Sequence, residues 1–100
     1  MLYDSTKTLL RTIVHSLETS DEPAWDDLGE SGQECLYEMH QMTRPQYKGW
    51  RPDAKGQSKG VPEFVRATRA IPFVKSMVSA IRRKDQATAV TSGRAALAEM

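Results

Sequence analysis

Residues 25–42 read WDDLGESGQECLYEMHQM, and the spacing of their apolar and small side chains decides the fold class. Such side chains recur every three or four positions over eighteen residues, as they do on one face of an α-helix. The stretch therefore predicts an amphipathic helix whose apolar face, Trp25 included, packs into a core. The residues of this face are Trp25, Leu28, Gly32, Cys35, Leu36, Met39 and Met42.

Two glycines leave the form of this helix open. Gly29 and Gly32 each destabilise a helix interior by about 1 kcal/mol relative to Ala. The segment is therefore either one helix, or a short turn over residues 22–28 followed by a longer helix from Ser31.

The remaining helices follow from the same three-four spacing. We expect a first helix over 5–18 and a third that begins near Pro62. Because Pro72 should interrupt the third helix, we expect a fourth over 72–84. Residues 85–100 form either a last helix or a frayed tail. The apolar stripes that support the first, third, fourth and last of these helices are, in that order, Leu10, Ile13, Val14 and Leu17; Phe64, Val65, Ala67, Thr68 and Ile71; Phe73, Val74, Met77, Val78 and Ile81; and Val90, Leu97 and Met100.

These elements define an all-α chain. No segment alternates with a period of two, so we expect a compact bundle of four to five short helices with one long basic loop, in a single domain over 1–100. At 39% hydrophobic and 27% charged residues, the composition is that of a globular protein. No apolar run reaches the roughly 18–20 residues of a membrane span, and we expect no membrane partner.

The location follows from the chain start and the cysteine count. The N-terminus MLYDSTK lacks the basic start and apolar centre of a signal peptide. A lone Cys35 suits a reducing compartment. We therefore expect a cytoplasmic protein.

A net charge of +1 conceals two opposite poles. Residues 1–43 carry two basic and nine acidic side chains, a balance of −7, whereas residues 44–84 carry eleven basic and two acidic ones, a balance of +9. The poles either face each other, or are merely solvated surfaces, or are presented to other molecules.

The reactive residue types do not form a catalytic or metal-binding pattern. Cys35 and His40 are five positions apart on a helix and point to different faces, and Cys35 lies on the apolar stripe, which favours a buried structural role. The pairs of ligands that zinc requires are missing, as are the phosphate-binding loop and the dinucleotide fingerprint. We expect no enzyme activity, no metal, no cofactor and no small-molecule substrate.

The basic loop, RPQYKGWRPDAKGQSKG over residues 44–60, combines five cations with two aromatic rings. This mixture is typical of nucleic-acid grips and of protein interfaces; alternatively, the rings fold back over the core. The candidate contact residues are Arg44, Tyr47, Lys48, Trp50, Arg51, Lys55 and Lys59.

The segment AWDDLGESGQECLYEMHQM (24–42), an acidic W-x-x-L turn leading into an amphipathic helix, resembles a segment of small accessory proteins of phages and prophages. The match covers about a fifth of the chain and carries no catalytic residue. It implies a mobile-element protein that acts on host machinery; anti-CRISPR inhibitors are similar in size and helical make-up.

Two functions fit these observations. We favour a non-enzymatic interaction protein that docks on a host protein or nucleoprotein complex and inhibits it. Its acidic flank would occupy a groove made for nucleic acid, and its basic loop would grip an acidic patch. The alternative is direct nucleic-acid binding through the loop 44–60. The acidic first half of the chain is an argument against it, because it would repel a polyanion. The acidic flank comprises Asp26, Asp27, Glu30, Glu34 and Glu38.

Overall fold

The computed structural model describes residues 2–43 and 63–100, which form four α-helices and, over those residues, no strand. The all-α helical bundle expected from the sequence is confirmed. The helices are α1 (Leu2–Thr19), α2 (Trp25–Thr43), α3 (Glu63–Arg82) and α4 (Gln86–Glu99).

The helix α2 is continuous, so the split at its glycines does not occur. Gly32 is buried against α3, and a Cβ atom there would lie only 2.9 Å from Cγ2 of Val78. The glycine therefore lets two helix backbones approach closely, which offsets its poor helix propensity.

The helix α3 runs unbroken through Pro72, and the predicted break there is wrong. Pro72 is exposed, so its ring and its missing amide hydrogen lie on the side that faces solvent. Residues before and after it share one buried face, and this shared burial outweighs a local cost of about 3 kcal/mol. The residues of that face are Ala67, Ala70, Val74, Met77, Val78 and Ile81.

The three residues 83–85 end α3 and start α4. Lys84 has a φ of 57°; its amide donates to the carbonyl of Ile81 at 3.0 Å, and the amide of Asp85 donates to that of Ala80 at 2.8 Å. This pair of bonds is a Schellman motif with lysine where glycine is usual. The Asp85 side chain then accepts from the Thr88 amide at 3.2 Å and so caps the start of α4.

Residues 86–99 are helical, which decides between the last helix and the frayed tail. The face that α4 buries consists of small residues, Ala89, Gly93 and Ala96, whereas Val90 and Leu97 of the expected stripe are only partly buried. A Cβ atom at Gly93 would lie 2.5 Å from Cγ2 of Val14, so α4 lies unusually close to α1.

Each helix runs antiparallel to its two neighbours. The start of α1 meets the end of α4, where the Tyr3 hydroxyl donates to the backbone oxygen of Met100 at 2.6 Å. At the opposite end, Nε2 of Gln86 donates to the carbonyls of Leu17 and Ser20. The helices α1 and α3 each pack beside α2 and α4, which makes an up-down-up-down four-helix bundle. Its largest fully buried apolar side chains are Leu10, Ile13, Leu17, Met39, Met77, Ile81 and Val74.

Candidate docking surface

The outer side of α2 carries four exposed carboxylates, which we call the acidic face: Asp26, Asp27, Glu30 and Glu34. The helical period explains their placement. Leu28, Cys35 and Met39 turn into the core, and residues at the intervening positions must project on the opposite side. Four of the five residues of the predicted acidic flank are therefore exposed on one surface.

Within residues 2–43 and 63–100, no ion pair involves the acidic face. The ion pairs found there lie elsewhere. Arg94 contacts Glu18 at 2.7 Å, and this hydrogen bond holds the pKa of Glu18 below its ordinary value; Arg83 lies 3.9 Å from Asp85. No described cation therefore pairs directly with the four carboxylates, and their charges can interact with a complementary molecule.

Glu38, the fifth member of the predicted flank, differs from the other four. It is half-buried, and its carboxylate accepts a hydrogen bond of 2.7 Å from the Thr6 hydroxyl. Glu38 thus joins α2 to α1, and its role is structural.

Tyr37 lies on the same outer side, and sequence reasoning missed it as a contact residue. Its side chain is 63% exposed, and its hydroxyl accepts a hydrogen bond of 2.9 Å from Gln41. A large ring held in water beside carboxylates has the character of an interface anchor, because Tyr is enriched among residues that dominate binding. The available signal was its register: position 37 falls off the buried stripe between Cys35 and Met39.

The basic half of the predicted site lies outside the described residues. This applies to Arg44, Tyr47, Lys48, Trp50, Arg51, Lys55 and Lys59. Three further cations, Arg82, Arg83 and Lys84, lie at the end of α3, where positive charge is favourable. The Arg83 guanidinium donates a hydrogen bond to the Ser79 hydroxyl at 2.8 Å.

A groove of about 490 Å³, which we call the Trp25 groove, lies between the start of α2 and the end of α3. Trp25 packs partly against the core, as expected, and also forms one side of this groove. The groove adjoins the acidic face, with which it shares Asp26 and Glu30. Its lining residues are Trp25, Asp26, Gly29, Glu30, Ile81, Arg82 and Lys84.

Cys35 is fully buried, which confirms its expected structural position. Burial raises the pKa of its thiol to about 12, and Glu38 and Glu34 act in the same direction. The thiol is therefore neutral and a poor nucleophile near pH 7. His15 is exposed, whereas His40 is half-buried near the end of α2.

In the described parts of the chain, no three acidic, histidine or cysteine side chains cluster as metal ligands would. The helices of these same parts are all too short or too polar to cross a bilayer.

Comparison with protein families, curated proteins and solved structures finds no match to this chain. What the described residues 2–43 and 63–100 establish is the architecture, a four-helix antiparallel bundle.

Proposed function

We propose that the protein is a non-enzymatic interaction protein that docks through its acidic face on a basic surface of a host protein or nucleoprotein complex and inhibits it. The observation that carries this proposal is the set of four exposed carboxylates without ion pairs among the described residues. Basic surfaces made for nucleic acid are complementary to such a face, and complementarity of this kind raises association rates and selects partners.

Tyr37 supports the same proposal. A carboxylate cluster gives an interface its charge preference, but binding energy is concentrated in a few aromatic or arginine contacts. An exposed ring beside Glu34 supplies such a contact, including a stacking surface for an arginine of the partner. The inhibitory role and the mobile-element setting are supported by the resemblance of residues 24–42.

The test is a pull-down from bacterial lysate with three tagged forms of the protein. The first is the natural chain, and the second has a neutralised acidic face (Asp26→Asn, Asp27→Asn, Glu30→Gln, Glu34→Gln). The third is a matched control with four exposed acids neutralised elsewhere (Asp4→Asn, Asp21→Asn, Glu22→Gln, Glu63→Gln). Both variants change net charge equally, so only the position of the charge differs.

We expect a partner that the natural chain and the control retain, that the acidic-face variant loses, and that added DNA or high salt releases. If all three forms capture the same proteins, or none captures a specific one, the proposal is wrong. A gel shift of random DNA or RNA at low salt by all three forms would instead favour the alternative, direct nucleic-acid binding through residues 44–60.

A further inference from the structure

The Trp25 groove has walls of opposite charge. Asp26 and Glu30 lie one turn apart on α2 and form one wall, and Arg82 and Lys84, at the end of α3, form the other. All four side chains are exposed, and no ion pair joins the two walls. A ligand that carries both a cation and a carboxylate can therefore interact with both walls.

The groove has an apolar surface at Trp25 and room beside Gly29. The half-buried indole of Trp25 supplies the apolar surface, since Ile81 is almost fully buried, and Gly29 contributes no side chain. A Cβ atom built at Gly29 meets nothing nearer than Cγ2 of Ile81, at 3.9 Å. The volume of about 490 Å³ falls in the range of roughly 300–1,000 Å³ typical of ligand sites.

We propose that the Trp25 groove binds a short segment of a protein partner in which one large apolar side chain lies between a Lys or Arg and an Asp or Glu. The inference rests on the proposed function, according to which the partner is a protein. It specifies which feature of that protein the groove recognises. The cation lies against Asp26 and Glu30, the apolar side chain covers Gly29 and Trp25, and the carboxylate lies against the opposite wall.

The other charge patterns fit less well. A nucleic acid or a wholly acidic segment meets repulsion from Asp26 and Glu30, and a wholly basic segment meets it from Arg82 and Lys84. A segment without a large side chain leaves the indole in water and loses the apolar contribution to binding.

Titration followed by NMR tests the proposal without a known partner. The probe is the peptide Ac-Lys-Leu-Glu-NH2. The signal is the indole N–H of Trp25, assigned as the one that persists in a Trp50→Phe variant. The control peptides are Ac-Lys-Leu-Lys-NH2, Ac-Glu-Leu-Glu-NH2 and Ac-Lys-Gly-Glu-NH2. We expect the probe to shift the signal with a millimolar Kd, the like-charged controls to bind about two- to fivefold more weakly, and the glycine control about tenfold more weakly.

Two variants locate the binding. Gly29→Leu fills the groove and should weaken probe binding about tenfold or more. Arg82→Glu with Lys84→Glu alters exposed residues, makes both walls acidic, and should reverse the preference in favour of Ac-Lys-Leu-Lys-NH2. An unmoved Trp25 signal, equal response to all four peptides, or an unchanged preference in the double variant would overturn the proposal.

The outcomes separate this inference from the proposed function. Peptide binding without a captured partner leaves the groove established and refutes the docking function. A partner lost on neutralising the acidic face, together with no peptide binding at Trp25, establishes docking and refutes the groove.

Discussion

Replacing three helical glycines one at a time by alanine tests the packing of the bundle, because the same substitution meets a different space at each site. At Gly29 the new Cβ lies 3.9 Å from Ile81, at Gly32 it lies 2.9 Å from Val78, and at Gly93 it lies 2.5 Å from Val14. Alanine gains about 1 kcal/mol of helix propensity wherever it fits. Overpacking of a close contact costs about 1–3 kcal/mol.

Helix propensity and overpacking together predict the order of stability of the three variants. Gly29→Ala should raise the free energy of unfolding by about 1 kcal/mol. Gly93→Ala should lower it by about 2 kcal/mol, because its contact is the shortest and the Met77 sulfur would also lie only 3.1 Å from the new Cβ. Gly32→Ala should fall between them, since Val78 alone must give way.

Urea unfolding followed by circular dichroism at 222 nm measures these differences, with equal slopes indicating unchanged denatured states. A double-mutant cycle identifies the cause at Gly93: in a Val14→Ala background, Gly93→Ala should cost about 1–2 kcal/mol less, because the opposing methyl group is gone. If Gly93→Ala is as stable as Gly29→Ala, or shows no coupling to Val14, the close approach of α1 and α4 is refuted.

Three further predictions concern Pro72, Lys84 and the buried groups that ionise at high pH. Pro72→Ala should raise the free energy of unfolding by about 2 kcal/mol, since it restores an amide hydrogen at an exposed site inside α3; unchanged stability in urea would contradict a continuous helix. Lys84→Gly should stabilise the left-handed end of α3 by about 1 kcal/mol, whereas Lys84→Ala, which keeps a Cβ, should not; equal urea midpoints for the two variants would contradict this. Burial raises the pKa values of Cys35 and Tyr3 above their ordinary 9.0 and 10.0, so the unfolded chain releases these protons first and stability should fall as pH rises from about 9 to 12. Urea midpoints at pH 8 and 10.5 measure that fall, which Cys35→Ala should reduce; equal falls in both proteins would contradict the burial of the thiol.

The helices themselves were predictable because each buries a stripe with a period near 3.6. Leu10, Ile13 and Leu17 mark α1, and Cys35 and Met39 mark α2. Burial of such a stripe outweighs local propensities, which is why α2 tolerates its glycines.

The break expected at Pro72 shows where local rules fail. The local cost of the proline predicts a break, although Ala70 and Val74 on its two sides continue one buried stripe. The apolar side chain of Phe73 predicts a place on that stripe, but it is 37% exposed because its position lies off the buried face. At both positions, the place of the residue in the helical period predicts its burial better than its residue type does.

The same distinction holds for the candidate site. The acidic face was predictable, because its members all fall between stripe positions of α2. The Trp25 groove was not, since it depends on which turn of α3 lies opposite Gly29. That pairing is set by how the two helices pack, which the spacing within either one does not encode.

Carboxyl footprinting of the captured complex tests the central claim, that the acidic face of α2 is the surface that docks. A carbodiimide and an amine label exposed carboxylates in the free protein and in the complex. Docking as proposed predicts that Asp26, Asp27, Glu30 and Glu34 lose labelling in the complex, while Asp4 and Glu63, exposed on α1 and α3, keep it. Full labelling of the α2 carboxylates in the complex would contradict the claim.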